Sequence, residues 1–287
     1  MMSTSALFRG GALAGLLACA GCELFVIHTF VPCDDPPETF WQSVAVADGH
    51  ACAVDVEGGL QCWGDALELS GTDVAAVDLG DALGCLLDGT GRLQCVGAEP
   101  PEGDGFVELS VGRDHACAVA APGELHCWGA DEAGQVSAAP ASSVDRVAAG
   151  DGFSCATDAT TLLPVCWGDA VADGAPADVP LAALGAGGPG VCGVDPAGQA
   201  VCWGEAAGMD TEGGGLGEPL VELAVGEDIV CGIDSMLTLR CVGDGAAAVP
   251  ELSAISVSVA PGPGGGGCAV SDVGRLRCWG AAAKGRP

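Results

Sequence analysis

Basic side chains are nearly missing from this sequence of 287 residues: one lysine and eight arginines face 39 acids, for a net charge of −30. Nucleic-acid binding needs a cationic footprint, so that class of partner is excluded. Tyrosine and asparagine are absent and aromatics make up only 4% of the chain, so a core must be filled mainly by small aliphatic side chains. Lysine, asparagine and tyrosine have AT-rich codons, and a GC-rich coding sequence accounts for those three shortages. Arginine has GC-rich codons and is scarce too, so the acidity is more than codon bias. It suits a solvated surface of acidic turns, and it favours cations or basic partners. Helical periodicity is also lacking. Of His28, His50, His115 and His126, none has the partner four residues away that a helical metal site requires. No serine sits in a nucleophile elbow, and no oxygen-ligand loop for calcium is present. Catalytic residues, metal and cofactor are therefore each expected to be none.

Cysteine is abundant instead. Fourteen of the seventeen fall into pairs: Cys52/Cys62, Cys85/Cys95, Cys117/Cys127, Cys155/Cys166, Cys192/Cys202, Cys231/Cys241 and Cys268/Cys278. The first pair lies in two apolar runs flanking an acidic, glycine-containing turn, the signature of a β-hairpin. If Val56, Glu57 and Gly58 form a three-residue loop, Gly58 takes its left-handed position. Counting outward then pairs Val54 with Leu60 and sets Cys52 opposite Cys62, within disulfide reach. Glycine recurs four residues before the second cysteine in five copies (Gly58, Gly91, Gly123, Gly198, Gly274), and aspartate opens the turn in five (Asp55, Asp88, Asp158, Asp195, Asp234). Trp-Gly follows the second cysteine in five copies, with Val96 and Val242 in the other two. Such pairing implies an oxidising compartment. Structural zinc prefers ligands two to four residues apart, and these gaps do not fit it.

Each hairpin follows another strand-like run: Ser43–Ala47, Val74–Leu79, Phe106–Val111, Val144–Ala148, Leu181–Leu184, Leu220–Val225 and Ile255–Val259. Gly80, Gly112, Gly150, Gly187 and Gly226 come between run and hairpin. One strand, a tight bend and a hairpin make a three-stranded antiparallel sheet, and seven such sheets set radially make a β-propeller. A linear β-solenoid is the competing architecture, but its coils are usually shorter than the 32–39 residues separating successive second cysteines. Gly185–Gly190 matches G-x-G-x-x-G by letter, yet a strand rather than a helix follows it, so it is read as an inter-strand bend and not a dinucleotide site. His50 and His115 share one repeat position, where a hydrogen bond within the bend is expected. The best local acid clusters, Asp131-Glu132 and Asp210/Glu212, are read as solvated turns.

Residues 1–18 have the form of an export signal: Arg9 closes a short n-region, and Gly10–Leu17 is apolar and small. Leu16-Leu17-Ala18-Cys19 resembles a bacterial lipobox, whose cysteine takes diacylglycerol and becomes the mature N-terminus. Cys22 is a second candidate, and simple secretion is the alternative. Parity favours lipid on Cys19, because Cys22 and Cys33 are then left to pair. A transmembrane anchor over Gly10–Pro32 ranks third, since Glu23 and His28 interrupt it. Residues 19–40 are a linker in which Leu24–Val31 is a candidate strand for completing the last blade, and residues 41–287 are the propeller.

The repeat (apolar strand)-Gly-x-x-His-x-Cys-Ala-Val…Gly-x-Leu-x-Cys-Trp-Gly resembles the regulator of chromosome condensation repeat. Its third copy is closest: Val111-Gly112-Arg113-Asp114-His115-Ala116-Cys117-Ala118-Val119, then Gly123 to Gly129, then Gly134-Gln135. The resemblance covers roughly Trp41–Gly280 and implies seven-bladed propellers, here of a cysteine-paired, extracellular bacterial type. Members of the family include a nucleotide-exchange factor for a small GTPase, an inhibitor of β-lactamases and many surface proteins. The Gly-Gln pair survives here in one copy and the histidine in two, so no binding surface is carried over. The sequence therefore reads as an all-β, exported, lipid-anchored, monomeric propeller at the cell envelope. It binds an unidentified protein, touches the membrane only through its lipid, and is not an enzyme. A hydrolase or lyase at the central channel and a purely structural surface protein are the alternatives. Carboxylates with a histidine converging on the channel would favour the enzyme, and a bare channel with a flat apolar loop face would favour binding. The loops Gly204–Pro219 and Gly243–Pro250 are the expected contact surface.

Overall fold

The computed structural model describes residues 24–26, 29–31, 39–64, 68–169, 174–204, 215–216, 219–243, 246, 249–260, 262 and 266–280. The chain divides into two units, Met1–Thr39 and Phe40–Pro287. In the first, Leu24–Val26 pairs antiparallel with Thr29–Val31. The stretch expected as one strand is thus a short hairpin, and it forms a two-stranded sheet of its own.

The second unit contains seven three-stranded antiparallel sheets, each built from strands consecutive in sequence. The inner strands are Trp41–Ala47, Val74–Leu79, Phe106–Val111, Val144–Ala149, Ala183–Gly187, Leu220–Val225 and Ala254–Val259, opening blades 1 to 7 in that order. The run expected at Leu181–Leu184 is shifted toward the bend: Gly185–Gly187 belong to the inner strand, and Gly190 opens the next. In blade 1 the register is the expected one, Val54 opposite Leu60 and Cys52 opposite Cys62. The Asp55 N–H donates to the Gly59 carbonyl. Hydrogen-bonded and non-bonded pairs alternate from there, so Cys52 and Cys62 fall at a non-bonded pair, where Cα atoms approach closest.

All seven blades carry a disulfide between such opposed cysteines, with Cα separations of 4.0–4.1 Å. In chain order the bonds are Cys52–Cys62, Cys85–Cys95, Cys117–Cys127, Cys155–Cys166, Cys192–Cys202, Cys231–Cys241 and Cys268–Cys278. The two ends of each bond differ in exposure. The first cysteine stands on the middle strand, flanked on both sides, and is fully buried in every blade. The second stands on the outer strand, which has a neighbour on one side only. Cys62, Cys95, Cys127, Cys166, Cys202, Cys241 and Cys278 are accordingly half-buried.

The turns repeat one chemistry. In blade 1 a single Asp55 carboxylate oxygen accepts the N–H groups of Glu57 and Gly59, both at 2.8 Å. Asp88, Asp158, Asp195 and Asp234 each hold two N–H groups of their own turns in the same way. These Asx turns need a left-handed residue before the returning strand. Gly58, Gly91 and Gly198 supply it, Gly123 and Gly274 fill the same position in the turns opened by Ala120 and Ser271, all five at φ between +74° and +119°, and Leu162 and Leu237 are forced into it at +59° and +63°. A left-handed non-glycine costs about 1–2 kcal/mol. Leu237→Gly, at a partly exposed side chain, should therefore raise stability by about 1 kcal/mol in urea unfolding. A variant no more stable than the native chain would mean that Leu237 packing outweighs its backbone strain.

The core is divided among seven seams, one between each pair of neighbouring blades. Side-chain alternation explains the Cys-Trp dipeptide. Adjacent residues of the outer strand point to opposite faces, so the cysteine enters the seam with the next blade and the tryptophan the seam with the preceding one. Trp128, Trp167, Trp203, Trp279 and Trp63 each pack in a cluster with the preceding blade's disulfide. Val96 and Val242 fill that place in the other two seams. The Gly134-Gln135 pair of the third repeat also serves a seam, since the Gln135 carbonyl accepts the Trp167 indole N–H at 2.8 Å.

A seven-membered set of backbone hydrogen bonds closes the ring. The carbonyl of each left-handed turn residue accepts the N–H that begins the next inner segment. The acceptors run Gly58, Gly91, Gly123, Leu162, Gly198, Leu237 and Gly274, and the donors Val74, Phe106, Val144, Leu181, Leu220, Ala254 and Trp41, at 2.8–3.1 Å. The last of these, Trp41 to Gly274, joins blade 7 to blade 1 by the same contact that joins every other pair. Ring closure is thus made within residues 40–287. A chain beginning at Phe40 should melt at the temperature of the full chain, and a marked drop would assign closure to the preceding segment.

Candidate functional site

The ring of bonds just described defines two faces. Inner strands begin, and hairpin turns lie, on one face; the bends between inner and middle strands lie on the other. Between them runs a central channel of about 600 Å³, lined by the inner strands of all seven blades. Carboxylates do converge there: Asp78, Glu108 and Glu222 within it, and Asp48, Asp81, Asp151 and Glu227 toward the bend face. Among the described residues no histidine lines it.

What the inner carboxylates do follows from the strands they stand on. An inner strand is the edge of its sheet and presents N–H groups with no strand partner. Polar side chains of the preceding blade capture them. Glu108 Oε1 accepts the Val147 N–H at 2.9 Å, and Glu222 Oε1 accepts that of Val257 at 2.8 Å. At the inner-strand position two residues beyond that of Glu108 and Glu222, Asp78 Oδ2 in blade 2 accepts from Val111, Ser110 Oγ in blade 3 from Ala149, and Ser258 Oγ in blade 7 from Val46, at 2.7–3.0 Å. The second Asp78 oxygen accepts the Leu79 N–H at 2.9 Å, and Glu108 also meets Arg146 at 3.1 Å. On the bend face Arg113 bridges Asp81 and Asp151 at 3.1 and 3.0 Å, tying three blades together. The sequence alone does not reveal these latches, although a polar residue inside an apolar strand (Val-Glu-Leu-Ser-Val, Val-Glu-Leu-Ala-Val) is the available signal.

Burial pushes the Asp78 carboxyl up to about 6 against the pull of the Val111 and Leu79 N–H groups, and burial likewise raises Glu108 and Glu222. In the turns the opposite holds. Hydrogen bonds from Thr90, Thr161 and Thr238 are the largest influences holding Asp88, Asp158 and Asp234 below the usual carboxylate range. A carboxyl with a raised folded pKa lowers stability as pH climbs from its unfolded value through the folded one. A depressed one stabilises above its unfolded value, and that contribution is lost as pH falls through the folded value. Thermal stability should therefore be greatest near about pH 4, decline from there through about pH 6 as the buried carboxyls ionise, and fall again in stronger acid. Asp78→Ser keeps a hydroxyl acceptor, as Ser110 and Ser258 do, without the buried charge. It should raise the Tm at neutral pH and narrow the difference between mildly acidic and neutral buffer. A pH profile unchanged in that variant would remove Asp78 as its source.

The other expected sites fall in different places. His115 is fully buried, and its Nε2 meets Ser154 Oγ of the next blade at 2.8 Å, so its bond crosses a seam and does not stay within the bend. Burial holds its pKa below the usual range. His50 Nε2 is buried without a partner among the described residues. In blade 2 the position equivalent to Ser154 is Gly84, which offers no hydroxyl. His126 stands near Glu124 at 3.3 Å and packs edge-on against Phe106. Asp131 is not simply solvated, for it accepts the N–H groups of Val136 and Ser137 at 2.9 Å and so fixes its loop. Among the described residues no three metal-ligating side chains gather. Cys19, Cys22, Cys33, His28, Asp210 and Glu212 lie outside the described residues, as do most of Gly204–Pro219 and part of Gly243–Pro250.

The exposed large apolar side chains gather on the turn face. In six blades a β-bulge follows the first inner-strand residue. The extra residue of a bulge is left unpaired and its side chain re-aimed. Val107, Val221 and Ile255 occupy this position, and Val107 is 65% exposed. Val56, Met236, Leu237 and Val273 project from the hairpin turns, and Phe40 lies beside Gly274. Of nine exposed large apolar side chains among the described residues, these eight share the turn face, leaving only Val165 elsewhere.

Comparison with known proteins agrees with this architecture. Residues 106–135, in blade 3, match the family model of the regulator of chromosome condensation (RCC1) repeat. The ectodomain of the receptor kinase CR4 from Physcomitrella patens superposes with a TM-score of 0.71 at 22% identity, covering 85% of this chain and 74% of that one. The CRINKLY WD40 ectodomain of the Arabidopsis thaliana receptor kinase ACR4 gives 0.69 at 20% identity, covering 87% and 98%. Prp20p from Saccharomyces cerevisiae, studied for its binding to Gsp1p and histones, gives 0.61 at 14% identity, covering 83% and 81%.

Proposed function

We propose that this chain, an RCC1-type seven-bladed propeller, is an exported protein-binding module with no catalysis of its own. The observation that carries the reading is the gathering of eight exposed large apolar side chains on one face. Exposed apolar area of that kind marks interaction surfaces, because it gains most from being covered. The rival, an enzyme using the channel, needs carboxylates free to exchange protons with a substrate. The three inner ones are engaged by backbone N–H groups of the next blade, and serines take the same role at equivalent positions. Seven disulfides and the receptor ectodomains among the structural relatives support an extracellular setting.

Within that setting, residues 1–18 are the export signal, Cys19 carries the lipid, Cys22 and Cys33 form an eighth disulfide, and the linker holds a monomeric propeller at the cell envelope. Mass spectrometry of the mature protein should find a chain starting at acylated Cys19; a free amino terminus further along would leave plain secretion. For binding, cross-linking of the full chain in its native envelope should join it to a partner protein through turn-face residues. Recovery of the chain with no cross-linked protein, or turnover of a substrate abolished by Glu108→Gln, would overturn the reading.

A further inference from the structure

We infer that the turn face across blades 6, 7 and 1 receives a basic, amphipathic segment of a partner polypeptide, an inference that rests on the protein-binding reading above. Of the eight exposed apolar residues on this face, all but Val107 belong to these three consecutive blades. The blades that carry them are joined directly on this face, by the Leu237 carbonyl with the Ala254 N–H and the Gly274 carbonyl with the Trp41 N–H, both at 2.8 Å. Two unrelated devices bring them out: bulges present Val221 and Ile255, and turn tips present Val56, Met236 and Val273.

The blade 6 turn adds an independent observation. Five turns place glycine at the left-handed position, whereas here Leu237 occupies it at φ +63° and remains 37% exposed, beside Met236 at 75%. Folding alone is better served by glycine at that position. Strained backbone carrying exposed apolar side chains is what a contact site retains.

Charge selects the occupant. Exposed Glu57, Glu251 and Asp272 stand among the apolar tips, with Arg275 as the one cation on these turns among the described residues. The whole chain carries −30, so a second copy and an anionic bilayer are both repelled on approach. A segment with apolar residues on one side and Lys or Arg on its flanks meets both features of the surface, and its binding weakens with salt.

The test uses the full chain and three synthetic peptides of one pattern: leucine with lysine, leucine with glutamate, and serine with lysine. The Leu/Lys peptide should bind most tightly and protect the backbone of residues 234–238, 253–256 and 271–274 from hydrogen exchange. The triple variant Val221→Ser/Ile255→Ser/Val273→Ser alters only exposed side chains, and an unchanged melt checks its fold. It should weaken Leu/Lys binding at least about tenfold, while Val107→Ser/Val165→Ser should leave it unaltered. Equal binding of the Ser/Lys peptide, or Leu/Lys affinity unaffected by the triple variant, would reduce the effect to bulk charge and overturn the inference. Self-association or anionic-vesicle binding abolished by the triple variant would assign the tract to those occupants instead. A natural partner cross-linked equally by the native chain and the triple variant would remove this surface and leave the protein-binding reading standing.

Discussion

Full reduction of the blade disulfides should abolish the cooperative thermal melt of this protein. Each bond closes a loop with a sequence separation of 10 or 11 residues, worth about 2–3 kcal/mol in the chain-entropy model. The seven loops do not overlap, so their contributions sum to roughly 14–21 kcal/mol. Domains are commonly stable by only about 5–15 kcal/mol. The margin is lost twice, because the sulfurs are also seam packing: the first cysteine of every pair is fully buried. That burial shields them from reductant, so thiol release should be slow in native buffer and fast in moderate urea. Circular dichroism of the reduced, alkylated chain is the measurement. A cooperative melt surviving there would show that the apolar seams suffice. Removing one pair, Cys155→Ala with Cys166→Ala, should cost about 2–3 kcal/mol plus the contacts its sulfurs make with Trp203.

Gly187→Ala should be nearly as damaging from a single methyl group. A Cβ at Gly187 would fall onto the Val225 carbonyl oxygen of the next blade, and one at Gly80 onto the Gly112 carbonyl oxygen. Neither obstacle is a side chain that can turn away. The blades must part, and in a closed ring a wider seam strains its neighbours. A loss of about 3 kcal/mol or more is expected from either substitution. Gly185→Ala, two residues earlier on the same strand, is the control. Its Cβ would approach no atom closer than the Val225 methyl at 3.4 Å, and Ala45, Ala148 and Ala224 already occupy the equivalent position. It should be neutral or slightly stabilising in urea unfolding. Equal effects at the two positions would refute the close-approach account of the bend glycines.

The hairpins are legible in the sequence because their information is local. Cysteine spacing, an opening aspartate and a left-handed glycine fix a turn within five residues, and the turn fixes the register that sets Cys52 against Cys62. The inner strands are legible for the same reason, apart from the displacement in blade 5. The bond of the histidine is not, because its partner lies in another repeat: Ser154 is 39 residues from His115. The inner carboxylates escape notice on the same ground, since each serves an N–H of the following blade. The apolar turn face stays hidden because a bulge changes which side of a strand a residue faces, and alternation counted along the sequence cannot register the inserted residue.

By itself, then, the sequence determined the repeating unit, its disulfides, its sevenfold recurrence and its oxidising setting, all of which follow from chemistry within a few tens of residues. The tertiary structure alone decided how blade 7 meets blade 1, what the channel carboxylates hold, and on which face the exposed apolar side chains gather. Those outcomes depend on groups that become neighbours only when separate sheets are brought around a common axis, where an edge N–H must find its acceptor in the next blade.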